Sequence, residues 1–162
     1  FRVTSSALFN RCNFEFSQSD VIDWEANSVG IEYNVNISFA GMKTNVDGAA
    51  ADQCSTAHGG AQVLRIGGTY NKFRSSGIYD INAGTKTINL GCSIGSEYPG
   101  AETANTFQAI GIGLDGEMWI DGVTAGAKVQ FGASGSTLHI RNYKWNKLTK
   151  TAITNGAIIT KW

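Results

Sequence analysis

The chain has 162 residues and no formal net charge, because its 13 Lys and Arg residues are matched by 13 Asp and Glu residues. This balance argues against nucleic-acid binding, which needs a basic surface to displace counterions. Charged residues make up only 16% of the chain, and no apolar run approaches the roughly 20 residues that span a bilayer, so we expect an extracellular protein with a neutral polar surface and no membrane segment.

Branched and aromatic residues, separated by Gly and Asn, predict an all-β fold of short strands with almost no helix. In chain order the predicted strands span residues 7–16, 20–25, 30–39, 61–71, 76–82, 86–94, 107–114, 117–123, 127–132, 137–145 and 152–162. Three consecutive Ala residues make a short helical turn within residues 48–59 an alternative to a loop.

Similar apolar and glycine segments recur along the chain. Residues 64–68, 88–92 and 108–112 follow one another at offsets of about 24 and 20 residues, and Phe14 and Ile37 are spaced alike. This period predicts a parallel β-helix whose coils stack on one another. Asn residues at strand ends are expected at tight corners and in amide hydrogen bonds between coils.

The regular spacing weakens after Gly116. Tyr143, Trp145 and Trp162 alternate with lysines near the end of the chain, which predicts a β cap that protects the edge of the core. We therefore divide the chain into β-helix coils, residues 1–116, and C-terminal coils or a capping and trimerisation region, residues 117–162.

Three cysteines, Cys12, Cys54 and Cys92, show no C-x-x-C spacing and lie beside predicted strands. Their odd number and placement favour buried free thiols, with one disulfide and one remaining thiol as the alternative. A zinc site has the least support because His58 and His139 are the only imidazoles. We predict no metal and no cofactor.

Three segments, residues 51–60 (ADQCSTAHGG), 63–70 (VLRIGGTY) and 76–82 (SGIYDIN), resemble the tailspikes of bacteriophages that depolymerise bacterial capsule or lipopolysaccharide. The resemblance implies a right-handed parallel β-helix, assembled as a homotrimer in the virion tail outside the cell. It also implies that the protein binds bacterial capsular or O-antigen polysaccharide, and that the chain is the C-terminal portion of a larger spike. The resemblance also implies that the whole spike has depolymerase activity, by hydrolysis or by elimination.

Cleavage of a polysaccharide needs paired carboxylates or a base. Asp23 and Glu25 are the candidate catalytic pair, because residues two apart on a strand project to the same side, about 7 Å from each other. A solvated strand face is the alternative. Trp24 between them faces inward or, in the reversed register, offers a platform for carbohydrate binding. We expect His58 to bond a backbone carbonyl in its loop, with a general base as the alternative, and His139 to face solvent or a neighbouring subunit.

The longest non-periodic segment is residues 95–105 (GSEYPGAETAN). Loops on a rigid scaffold commonly carry function, so Glu97, Tyr98 and Glu102 are candidates for carbohydrate binding, with a plain surface loop as the alternative. The leading hypothesis is polysaccharide binding for host recognition. The alternatives are a non-catalytic trimerisation or capping module of a viral fibre, and a fragment of a bacterial β-helix polysaccharide lyase. Whether this part of the chain contains the catalytic residues stays open.

Overall fold

A computed structural model of the chain describes residues 1–15, 21–38, 53–71, 76–80, 84–95, 108–112, 116–131, 136–148 and 158–161. These residues form an all-β structure with no helix among them, and therefore none that could cross a membrane. The strands are β1 (Arg2–Val3), β2 (Ser6–Asn10), β3 (Asn13–Glu15), β4 (Ile22–Trp24), β5 (Val29–Tyr33), β6 (Asn36–Ser38), β7 (Gln53–Ala57), β8 (Gln62–Ile66), β9 (Thr69–Asn71), β10 (Ser76–Asp80), β11 (Lys86–Leu90), β12 (Ser93–Ile94), β13 (Gln108–Ile112), β14 (Glu117–Asp121), β15 (Thr124–Phe131), β16 (Thr137–Arg141), β17 (Lys144–Leu148) and β18 (Ile158–Lys161).

The strands form parallel sheets. One sheet has seven strands in the order β18-β16-β14-β11-β8-β5-β2, which we call stack II. The other sheet has two rows that meet in β15, whose first half pairs with β12 and whose second half pairs with β13. Stack I is the row β1, β4, β7, β10 and β13, and stack III is the row β3, β6, β9 and β12. Strand β17 pairs with both halves of β15.

Consecutive strands enter stacks I, II and III in turn, and the chain then returns to stack I one strand further along. We call three such strands a rung. Equivalent positions in stack II are Ser6, Val29, Gln62, Lys86, Glu117, Thr137 and Ile158. The intervals between them range from 20 to 33 residues, so the rungs differ in length.

Two of the predicted alignments are present in the register. Phe14 pairs with Ile37, and Leu64 pairs with Ile88. The third alignment is wrong: Ile88 pairs with Trp119, whereas Ile110 lies in stack I. Parallel pairing in stack II continues past residue 116 through β14, β16 and β18, and the division at that point stays a prediction.

The corner after stack II has the same backbone conformation on six rungs. Its residues have positive φ angles: Arg11 (52°), Asn34 (50°), Gly67 (63°), Gly91 (62°), Gly122 (66°) and Asn142 (50°). Glycine and asparagine tolerate this left-handed conformation, which confirms the expected corner role for Asn34 and Asn142. Asn36 Nδ2 also donates to Asn13 Oδ1 at 2.9 Å, one of the predicted amide bonds between neighbouring strands.

The interior combines an apolar core with a buried polar centre. The large apolar side chains of the core are Ile22, Trp24, Ile37, Tyr70, Ile78, Ile94, Met118 and Ile120. At the centre, Glu32, Arg65 and Asn89 occupy equivalent inward positions of β5, β8 and β11. Glu32 Oε1 lies 3.3 Å from Arg65 Nε, and both side chains are fully buried.

Two further expectations can be compared with the described residues. Residues 53–57 form strand β7, not the helical turn or loop considered for that segment, because they pair with β4 and β10. Cys12, Cys54 and Cys92 are free thiols, as predicted; the last two are buried and Cys12 is half-buried.

Candidate functional site

A cluster of charged side chains lies on the first three strands of stack I. Asp23 lies in β4, opposite Arg2 of β1 in the register. Glu25 follows β4 directly, and its amide donates to the carbonyl of Val3 at 2.9 Å. His58 follows β7, and its amide continues the ladder beyond that strand. We call Arg2, Asp23, Glu25 and His58 the stack I cluster.

The alternation of a β-strand explains how the stack I cluster is oriented. Trp24 is fully buried, whereas Asp23 and Glu25 on either side of it are partly exposed. Trp24 thus takes the inward of its two predicted orientations, and its indole N–H donates to Glu32 Oε1 at 2.7 Å. A sugar cannot reach this ring, so Trp24 acts as a core residue in this structure.

Each carboxylate of the cluster has its own basic neighbour. His58 Nε2 lies 2.8 Å from Asp23 Oδ1, and the two side chains are about 29% and 24% exposed. Glu25 Oε1 accepts a hydrogen bond from Arg2 Nε. The partner of the His58 ring is therefore a carboxylate of the preceding rung, where a backbone carbonyl was expected.

The neighbouring charges fix the protonation of Glu25. The hydrogen bond from Arg2 lowers the pKa of Glu25, and the charges of Arg2 and His58 act in the same direction, while burial opposes them. Glu25 is therefore ionised at neutral pH. It can accept hydrogen bonds from hydroxyl groups or act as a base or nucleophile, but it cannot be the proton donor that glycoside hydrolysis requires. His58 carries the imidazole, which both donates and accepts protons in catalysis.

A shallow groove of about 360 Å³ lies on the outward side of stack II. The side chains that line it include Val29, Ile31, Leu64, Ile88 and Trp119, with Gln62, Lys86 and Glu117 along one side. At one end, the rings of Trp119 and His139 stack with centroids 3.8 Å apart and planes 16° apart. His139 Nε2 lies 2.9 Å from Glu117 Oε1, which holds the imidazole against the outer surface of the sheet.

The remaining predicted binding residues, Glu97, Tyr98 and Glu102, lie outside the described residues. Within the described ranges, no group of three or more His, Cys, Asp or Glu side chains could hold a metal ion. Sequence reasoning missed Arg2 and the pairing of His58 with Asp23. The assumption of near-equal rungs hid this pairing, because 33 residues separate the paired residues Asp23 and Thr56.

Comparisons of the chain with protein-family models, with curated proteins and with solved structures find no match. The functional interpretation therefore depends on the sequence and on the geometry of the two surfaces described above.

Proposed function

We propose that the chain is part of a right-handed parallel β-helix of a bacteriophage tailspike, and that it binds bacterial capsular or O-antigen polysaccharide as a homotrimer in the virion tail. The β-helix is supported by the parallel pairing and by the fixed order in which consecutive strands enter the three stacks. The tailspike origin is supported by the resemblance of residues 51–82.

The stack I cluster is the observation that carries the binding proposal. Polysaccharides present rows of hydroxyl groups, which donate to carboxylates and accept from guanidinium and imidazole groups. Arg2, Asp23, Glu25 and His58 offer both kinds of partner on strands that lie about 4.8 Å apart. If this part of the spike also cleaves the polymer, the ionised Glu25 serves as base or nucleophile and His58 as the group that exchanges a proton.

A non-catalytic trimerisation module is the second candidate, favoured by the apolar surface of stack II. That surface exposes Leu8, Val29 and Ile31, which lack the hydrogen-bonding groups that sugars need. Such a module would bind no oligosaccharide, so the two candidates differ in a direct binding measurement.

The test measures binding of a panel of capsular and O-antigen oligosaccharides by titration calorimetry, with the natural chain, Glu25→Gln and Asp121→Asn. Asp121 is the matched control: its carboxylate also pairs with an arginine of a neighbouring strand, Arg141, which lowers the pKa of Asp121 in the same way. We expect at least one oligosaccharide to bind, and Glu25→Gln to weaken that binding about tenfold or more through loss of a charge-assisted hydrogen bond.

Asp121→Asn should leave the affinity within about twofold of the natural value, since Asp121 lies in stack II. Equal losses in both variants would show that general surface charge is responsible, and would remove the stack I cluster as the site. Absence of binding across the panel would favour the trimerisation module. Where the natural chain degrades the polymer, full activity in Glu25→Gln would remove Glu25 from the catalytic pair.

A further inference from the structure

Exposed apolar side chains are concentrated on one side of the molecule. Seven large apolar residues are exposed in the described part of the chain, and five of them lie in stack II: Leu8, Val29, Ile31, Tyr33 and Ile88. They belong to the outward positions of β2, β5 and β11, and the half-buried Leu64 and Ile66 of β8 lie between them in the register. This set forms a continuous apolar surface, which we call the stack II face.

The stack II face changes character along the stack. Its first four strands, β2, β5, β8 and β11, carry mostly aliphatic and aromatic outward side chains, with Lys86 as an exposed charge. The next two strands, β14 and β16, carry mainly charged outward side chains beside Trp119. These charges are already paired within the chain: Asp121 Oδ2 lies 2.5 Å from Arg141 Nη2, and Glu117 Oε1 lies 2.9 Å from His139 Nε2. The charged end therefore needs no ion partner from another molecule.

The size of this face can be compared with known interfaces. Five residues at about 3.3 Å on four strands about 4.8 Å apart give a face of roughly 17 by 19 Å, or about 320 Å² in projection. A patch of this size lies in the range of the largest apolar patches on monomeric proteins, which are often functional. It supplies about 40% of the roughly 800 Å² that each partner contributes to a stable interface.

We propose that copies of this chain pack against one another through the stack II face, with equivalent rungs at the same level. This inference rests on the proposed homotrimer and assigns its contact surface. With the symmetry axis parallel to the stack, Leu8, Ile31 and Ile88 of one copy meet the same apolar region of the next. The charged ends meet at the other end of the stack, where each charge is neutralised by its own chain.

A second copy fits this face better than a polysaccharide does. The outward side chains of Leu8, Val29, Ile31 and Ile88 have no hydrogen-bonding atoms, so a sugar over them would find polar partners only along one side, at Gln62, Lys86 and Glu117. Aliphatic side chains of another copy would instead remove apolar surface from water on both sides. The stack I cluster stays accessible in this arrangement because it lies on a different stack.

The test is the mass of the full chain by light scattering over a range of concentrations, for the natural chain, Ile31→Lys, Ile88→Lys and the control Thr69→Lys. Ile31 and Ile88 are about 38% and 43% exposed in the single chain, so a lysine can extend into water there. Thr69 is an exposed residue of stack III. Each isoleucine variant should raise the concentration of half-dissociation about tenfold or more, and Thr69→Lys should not.

Three results decide the inference. A natural chain with three times the 17.3 kDa mass of one chain, together with dissociation of both isoleucine variants only, supports it. A natural chain that stays monomeric at every concentration overturns it. Variants that assemble like the natural chain also overturn it, while leaving a homotrimer that uses another surface. Failure of oligosaccharide binding has no bearing on these masses, so the proposed ligand and the proposed interface fail separately.

Cross-linking provides a measurement that does not depend on the lysine variants folding. In a Cys12→Ala background, Ile88→Cys and Thr69→Cys each place one accessible thiol on the surface, since Cys54 and Cys92 are buried. A short bismaleimide should link chains that carry Ile88→Cys and leave Thr69→Cys chains single. The opposite pattern would overturn the assignment of the face.

Discussion

Replacing Glu32 by Gln tests the buried polar centre most sharply. The carboxylate accepts hydrogen bonds from Trp24 Nε1 at 2.7 Å, Ser55 Oγ at 2.6 Å and Tyr70 OH at 2.8 Å, and it neutralises Arg65. Gln has the same shape, and its carbonyl oxygen can accept from Trp24 and Ser55 while its NH2 group donates to the Tyr70 hydroxyl, but it removes the negative charge. Because Arg65 is fully buried, its charge would then lose the Glu32 carboxylate in a medium of low dielectric constant.

The expected loss in the free energy of unfolding is about 3 to 5 kcal/mol, the range for breaking a buried ion pair. Natural domains have about 5 to 15 kcal/mol in total, so this loss would remove a large part of the stability. Urea unfolding followed by tryptophan fluorescence measures it directly. Glu117→Gln is the control, since its partner His139 is partly exposed and the expected change is below about 1 kcal/mol.

A double-mutant cycle separates the pair from its surroundings. Arg65→Met removes the other charge, and the double variant Glu32→Gln, Arg65→Met contains neither. We expect the double variant to lose at least about 2 kcal/mol less than the sum of the two single losses. Additive losses, or a loss below about 1 kcal/mol in Glu32→Gln alone, would refute the view that a counter-ion for Arg65 is needed.

Two further predictions concern packing and alkaline stability. Gly30→Ala should lower the free energy of unfolding by about 2 to 3 kcal/mol in urea melts, because the added Cβ would lie 1.9 Å from Trp24 Cη2 and 2.8 Å from the carbonyl oxygen of Ala7. In the control Gly91→Ala the added Cβ has nothing within 4 Å, but φ is +62°, so the expected loss is about 1 to 2 kcal/mol. A loss in Gly30→Ala that is equal to or smaller than the loss in Gly91→Ala would contradict the packing argument. Burial raises the pKa of Cys92 from 9.0 to about 12 and raises that of Tyr70 well above 10.0. The stability tied to both protonated groups is thus fully present below pH 9 and is lost as the pH rises toward 12. Thermal melts between pH 8 and 11 should show a falling midpoint, with a shallower fall in Cys92→Ala; an unchanged slope in that variant would show that the thiol does not contribute.

Most strands were predictable from the sequence because they leave a local signal, whereas β1 and β7 were not predicted. Alternation of apolar residues marks ten of the predicted segments, which overlap strands in the structure. Five of them, 7–16, 30–39, 61–71, 86–94 and 137–145, were predicted as single strands but are each divided at a corner into two strands of different stacks. The pairing of Phe14 with Ile37 was also visible as a repeat. Local patterns could not reveal the unequal rung lengths, since only the register of the folded chain defines them.

The candidate site was predictable only in part for the same reason. Asp23 and Glu25 lie two residues apart, so their shared side follows from strand geometry alone. Their partners come from other rungs: Arg2 lies 21 residues before Asp23 in the register, and His58 lies beyond the strand that pairs with β4. Contacts between rungs depend on loop lengths, which carry no simple sequence signal.

The distribution of side chains in stack II bears on what covers its outer face. In β5, β8 and β11 the fourth residue of the strand points inward, and these residues are Glu32, Arg65 and Asn89. Outward positions of the same strands hold residues such as Ile31 and Ile88. A slip of one residue would exchange these rows and, by hydrophobicity alone, would be favoured in an isolated chain. The register is therefore fixed by specific bonds to neighbouring stacks, such as Trp24 and Tyr70 to Glu32, and by the corner residues with positive φ.

Burying polar groups inside and exposing an apolar row outside both raise the free energy of a single chain in water. The inside cost is met by the hydrogen bonds to Glu32, which satisfy the buried charge. Removing Leu8, Ile31 and Ile88 from water by another surface would offset the unfavourable exposure outside. The proposed packing of copies through this face would do so, and the charge pairs of β14 and β16 would need no partner from another copy. The internal ion pair and the outer apolar face are thus two consequences of one register.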